Sequence, residues 1–311
     1  MAKMIKNKFP GSKVFFLGQE YTRPLVGACV YVDGFIELND FLKNKLPINK
    51  SEIDAIVHVK PLAVVASHAK KIKIKWRIGT TNRLYHWSTC NKLVKFSRKK
   101  SHLHEAQLNL KLLKPFGINE DVAIEEIGSL YGLKKIESLN KDFEVLLDKT
   151  KYNLILHPKS SKSAREWGLN NFELLISILD KTRYKIFISG SAEEGVLLKP
   201  FFDKVAGAVT NITGKFSLSQ FISFIAQCDG IVGCSTGPLH IAAALGKDAL
   251  GIYAPLKGIN AERWAPVGKN AQVFQLNKAC TDCYKNKMPC HCIEEVSPFI
   301  IKETLDKRNT H

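Results

Sequence analysis

The sequence predicts an α/β fold in which short apolar strands alternate with amphipathic helices around parallel sheets. Three observations predict it. Short apolar runs recur from Asn153 onward, each halted by Gly, Pro or Ser. Segments of helical period separate them, and small-residue turns follow the strand ends, where open parallel sheets bind their ligands. With 311 residues, 45% hydrophobic and 24% charged, the chain is globular and long enough for two domains. No apolar run approaches the roughly 18 to 20 residues that span a bilayer. Met1 to Gly11 has lysines but no signal-type apolar stretch, so a cytoplasmic location is expected.

In the second half, Asn153 to His157 reads as a buried strand ended by Pro158, and 171–181 as a helix with apolar residues at 172, 175, 176 and 179. Tyr184 to Ser189 is the next strand, stopped by Gly190. Val209 to Ile212 is a third strand, and Ser217 caps a helix running to Gln227. Asp229 to Gly233 is a fourth strand, Pro238 to Leu245 a helix, and Asp248 to Tyr253 a fifth strand. Such alternation points to a doubly wound parallel sheet covered on both faces.

The first half is less regular. Val14–Leu17, Ala55–Val59, Ile74–Ile78 and Val94–Phe96 read as strands, and His102–Phe116 as a helix closed by Gly117. Met1 to Phe9 reads as the end of a helix. The charged stretch from Ile136 to Tyr152 carries the domain boundary, which divides the chain into 1–148 and 149–311.

The net charge is +17. Residues 60–114 hold 14 basic side chains against the single acid Glu105. A field of that sign favours an anionic partner such as a phosphorylated glycolipid or an acidic membrane surface. Nucleic acid is the least favoured of these partners, because no recognition motif accompanies the charge. Cys280, Cys283, Cys290 and Cys292, with His291 beside them, form either a zinc-ligand set of unusual spacing or a reduced cluster.

Two loops carry candidate chemistry. After the Asn153 strand, Ser160, Ser161 and Ser163 stand with Lys159, Lys162 and Arg165, all donors suited to phosphate oxygens. After the Asp229 strand, Ser235-Thr-Gly-Pro-Leu-His240 opens an alanine-rich helix. A helix start offers free N–H groups and a positive dipole end to an anion, and Gly237 lets a ligand approach the backbone. His240 is either a ligand contact or a satisfied, partly buried histidine.

In order and spacing, Ser163-Ala-Arg-Glu-Trp167, Gly190-Ser-Ala-Glu-Glu194, Ser235-Thr-Gly-Pro-Leu-His-Ile-Ala-Ala-Ala-Leu-Gly246, Tyr253-Ala-Pro255 and Arg263-Trp-Ala-Pro266 resemble the bacterial heptosyltransferases of glycosyltransferase family 9. The likeness is dense over about 150–292 and thin before it, where Lys8-Phe-Pro-Gly-Ser-Lys13 is similar to the end of the family's first helix. It implies a GT-B fold of two Rossmann-like doubly wound domains, the first on the acceptor side and the second on the donor side. It also implies transfer of a heptose-type sugar from a nucleotide sugar, typically ADP-heptose, to an anionic lipopolysaccharide-core glycolipid at the inner membrane surface.

By the same resemblance, Ser160 and Ser161 contact the donor diphosphate and Arg165 neutralises the leaving phosphate. Glu193 or Glu194 lies near the nucleoside, and Ser235, Thr236, Gly237 and His240 form the helix-start site. No cofactor or metal is implied where the protein itself supplies the charge. The family's first strand and the acid expected as general base correspond to residues before Met1; Glu20 and Asp33 lie on later segments. The expectation is therefore a first domain lacking its first strand, and either an impaired transferase or a decayed member that binds nucleotide or another anionic partner without transfer.

Overall fold

The computed structural model describes residues 1–161, 163–278 and 291–309. The chain divides into two compact units, Met1–Lys135 and Ile136–His311. The division precedes the 148/149 boundary because the connecting segment packs on the second unit. The Ser223 hydroxyl donates to Glu137 O (2.8 Å), Asn140 N–H donates to Gln220 Oε1 (2.9 Å), and the Phe143 and Phe216 rings lie 4.3 Å apart.

The first unit holds two parallel sheets. In one, β1 (Phe15–Gly18) pairs with β2 (Gly34–Glu37). In the other, β3 (Ala55–Val57), β4 (Trp76–Thr80) and β5 (Lys92–Val94) lie in chain order. A helix does precede Pro10, over Ala2–Lys8. The helix expected over 102–116 is shorter. It starts at Glu105 under a His104–Gln107 capping box, then tightens to a 3-10 turn over Lys111–Phe116, which contains Pro115. It closes at Gly117, whose φ of 66° is a left-handed end that glycine adopts without strain.

The second unit is one six-stranded parallel sheet of order β11-β10-β9-β6-β7-β8. Its strands are β6 (Tyr152–His157), β7 (Tyr184–Ile188), β8 (Thr210–Asn211), β9 (Gly230–Cys234), β10 (Asp248–Ile252) and β11 (Ala271–Phe274). Every residue of β6 and β9 is buried, as continuous apolar runs covered on both faces require. The chain leaves β6 towards β7 and β8, then returns to place β9 on its other side, so β6 and β9 form the topological switch point. Trp167 is fully buried, and its indole N–H donates to Val296 O (2.8 Å). The Pro298–Arg308 helix packs on the Leu169–Ile178 helix. Among the described residues no helix is long and apolar enough to cross a membrane.

Candidate functional site

At the carboxyl ends of β6, β7, β8 and β9 the second unit opens a cleft of about 570 Å³. This is where a doubly wound sheet binds its ligand, because the loops diverge on either side of the switch point. The β6 side of the lining comes from His157, Ser160, Ser161 and Ser163. Ser189, Gly190, Ser191 and Glu194 follow β7, and Gly214, Phe216, Ser217 and Phe221 follow β8. Thr236, Gly237 and Pro238 follow β9.

The β6 loop is held by two carboxylates. Ser160 is buried, and its N–H and hydroxyl both donate to Glu166 Oε1, each at 3.1 Å. The other Glu166 oxygen accepts from Lys159 Nζ, so the pair is neutral overall. Ser161 takes a φ of 46°, a left-handed geometry that costs a non-glycine residue roughly 1–2 kcal/mol. Its N–H and hydroxyl donate to Glu194 Oε1 at 3.1 and 2.8 Å. The Ser163 hydroxyl donates to Ser160 O (2.6 Å) and closes the turn.

Glu194 belongs to the next element. Ser191 caps the Ala192–Leu197 helix through a capping box in which Glu194 Oε2 accepts from Ser191 N–H (2.9 Å). Burial alone would raise the Glu194 pKa, but the bonds from Ser191 and Ser161, with His157 nearby, hold it below the usual range. At the floor of the cleft His157 Nδ1 lies 2.8 Å from Ser189 Oγ. Burial lowers the His157 pKa against the opposing pull of Glu194 and Glu166.

Thr236 is the N-cap residue of the Gly237–Ala244 helix, yet its side chain makes no capping bond. Its Oγ1 is buried and without a partner. A Cβ added to Gly237 would meet nothing within 4 Å, so the glycine keeps open space at the helix start. The opposite wall is aromatic: Phe216 lies 4.9 Å from Phe224 and 5.9 Å from Phe221. The cleft thus combines hydroxyl and N–H donors suited to phosphate oxygens with an apolar wall suited to a flat ring.

Residues 45–294 match the family described as "Glycosyltransferase family 9 (heptosyltransferase)". The chain belongs to glycosyltransferase family 9. It is 23% identical over 237 residues to the lipopolysaccharide core heptosyltransferase OpsX of Haemophilus influenzae, covering 71% of this chain and 61% of that protein. To a Campylobacter jejuni lipooligosaccharide heptosyltransferase 2 it is 25% identical over 173 residues, or 53% of this chain and 54% of that one. The chain therefore spans only about half to three fifths of the length of these curated relatives.

Among solved structures it resembles the family 9 glycosyl transferase from Veillonella parvula, with a TM-score of 0.76, 14% identity, and 99% of this chain and 91% of that chain covered. It also resembles E. coli ADP-heptose LPS heptosyltransferase II, with a TM-score of 0.69, 15% identity and coverage of 99% and 92%. The fold is GT-B.

In this family 9 chain, five of the expected donor-site residues line the cleft: Ser160, Ser161, Glu194, Thr236 and Gly237. Arg165, Ser235 and His240 are half-buried, Glu193 is exposed, and none of these four is among the lining residues. Sequence reasoning missed the β7 and β8 contributions, namely Ser189, Ser191, Gly214, Phe216 and Phe221. The Gly190 halt and the Ser217 cap were the signals that loops end there. Cys280, Cys283 and Cys290 lie outside the described residues, and Cys292 packs against the core of the second unit. Among the described residues no three His, Cys, Asp or Glu side chains converge on a metal position.

Proposed function

We propose that this chain is a heptosyltransferase that binds an ADP-heptose-type nucleotide sugar in the cleft of its second unit. It then transfers the sugar to a hydroxyl of an anionic lipopolysaccharide-core acceptor. The observation that carries the reading is the buried, unpartnered Thr236 hydroxyl at the start of the Gly237–Ala244 helix. A buried hydroxyl without a partner costs about 1–3 kcal/mol, which a ligand oxygen would recover. Beside it lie the first N–H groups of an eight-residue helix, oriented to favour an anion.

The rest of the cleft supports the same ligand. Phe216 and Phe221 offer a wall for a nucleobase, and Glu194 a carboxylate for nucleoside hydroxyls. Ser160 and Ser161 are assigned to the diphosphate, whose oxygens would take the hydroxyl donors now engaged by Glu166 and Glu194. The names of the relatives supply the sugar and the acceptor class.

Transfer breaks the bond from the anomeric carbon to the diphosphate oxygen, which leaves on ADP, and forms one to the acceptor oxygen, whose proton passes to solvent. Negative charge grows on the departing diphosphate. Fixed donors at Thr236 and the helix start hold that charge more strongly in the transition state than before it. Arg165, on the β6 loop, is the cation assigned to the leaving phosphate, and Ser235 and His240 flank the helix start. Glu193 is left to the solvent-facing side of the same turn.

Calorimetric titration of the full chain with ADP, followed by an assay of ADP release from ADP-heptose with and without a heptose-acceptor core, tests this reading. Saturable ADP binding and acceptor-dependent release are expected. No heat change at millimolar ADP would sink it.

A further inference from the structure

The first unit carries a second surface that the donor site does not use. Residues 55–104 contain 12 Lys and Arg and no Asp or Glu. This stretch includes β3, β4 and β5 and two helices, Ala63–Lys71 and Leu84–Thr89, that pack on one another. On the second helix Leu84 and Trp87, three residues apart and so on one face, are 89% and 63% exposed. The indole N–H of Trp87 already donates to Thr81 O (3.0 Å), so the exposed part of the ring is apolar and held in place. Lys70 Nζ donates to Ser88 O (2.8 Å), which puts an ammonium beside that face. Arg83 precedes Leu84, and Lys60 and Lys71 are exposed.

An apolar pair on a cationic helix, within a stretch of chain that holds no acid, matches an anionic lipid interface. Tryptophan settles at the headgroup level, leucine enters the acyl boundary, and basic side chains meet anionic headgroups. A nucleic-acid surface would use the cations and could stack on the indole, but would leave Leu84 facing water. We propose that Leu84 and Trp87, with the surrounding Lys and Arg side chains, form a membrane-docking face that holds the first unit on an anionic bilayer. This goes beyond the donor-site reading and does not depend on it, because docking is measured without nucleotide or acceptor.

The test is co-sedimentation of the full chain with phosphatidylcholine vesicles with and without one-third phosphatidylglycerol. Wild type should sediment with the anionic vesicles and be released as salt is raised to about 0.5 M. The double variant Leu84→Ser/Trp87→Ser should bind them at least about tenfold more weakly, or ~1.4 kcal/mol, with an unchanged melting temperature. Brominated acyl chains should quench wild-type fluorescence more than that of Trp87→Phe, a readout that needs no destabilising substitution. Equal binding to neutral and anionic vesicles, equal binding by the double variant, or equal quenching in Trp87→Phe would each overturn the proposal. So would duplex DNA that competes with the vesicles and loses its own binding in the double variant, since that assigns the face to nucleic acid.

Discussion

Glu194 Oε1 accepts from both the N–H and the hydroxyl of Ser161, at 3.1 and 2.8 Å, while Oε2 accepts from Ser191 N–H. One carboxylate therefore ties the β6 loop to the β7 turn and keeps Ser161 in its left-handed geometry. Hydrogen bonds to a charged group are worth about 1.5–3 kcal/mol each in favourable settings. Glu194→Gln, which keeps the shape and gives up the charge, should lower stability by about 1–2 kcal/mol and weaken ADP binding roughly tenfold. Denaturant unfolding and calorimetry report both, and an unchanged ADP affinity would remove Glu194 from the site.

Thr236→Val separates function from stability. The substitution conserves volume and deletes a hydroxyl that is buried and unpartnered. Folding stability should hold or rise by up to about 1 kcal/mol, because an unsatisfied group disappears. ADP affinity should fall about tenfold, the worth of one good hydrogen bond to a charged oxygen. Loss of stability with unchanged affinity would mean that the hydroxyl serves the fold alone.

The strands of the second unit were legible because each is a continuous apolar run between breakers, and β6, β7, β9 and β10 formed within a residue or two of the expected limits. β8 shrank to Thr210–Asn211 because it is an edge strand with one partner. β2 and β11 were missed: Gly34-Phe-Ile-Glu37 and Ala271-Gln-Val-Phe274 are too short and mixed to show a period. In the site, residues close to a strand end were legible. Those brought in by the return of the chain, such as Phe216, were not, because local sequence does not say that the β8 loop meets the β6 loop. Glu166 was passed over for a related reason. It reads as one more loop charge until its carboxylate is seen to hold Ser160 and Lys159 together.

Gly214 shows where the cleft depends on backbone geometry. Its φ is 67°, and an added Cβ would lie 2.9 Å from the Ala192 Cα, a backbone atom that cannot swing aside. Its N–H also donates to Gly190 O (3.0 Å), linking the β8 loop to the β7 turn. Gly214→Ala should therefore cost about 1–3 kcal/mol of stability and shift the turn that lines the cleft, so ADP binding should weaken as well. A melting temperature equal to wild type would contradict the strain argument.

The last prediction concerns acid. His58 and His86, in the first unit, have ring centroids 5.4 Å apart, and both Nε2 atoms are buried without partners. Burial, and then repulsion from His86, lowers the His58 pKa to about 4, and burial lowers that of His86 too. In the unfolded chain histidine titrates near 6.5. Between about pH 6.5 and 4 the unfolded chain therefore takes up protons that the folded form refuses. By linkage, stability is full above this window and falls as the pH drops through it. For His58 alone the loss is about 2 kcal/mol at pH 5. His58→Leu should remove that share, so urea midpoints measured at pH 7 and pH 5 should lie closer together in the variant than in wild type. If both proteins lose the same stability between those two values, His58 is already charged in the folded chain, and the buried pair must then be paired in a way that its orphaned Nε2 atoms do not suggest.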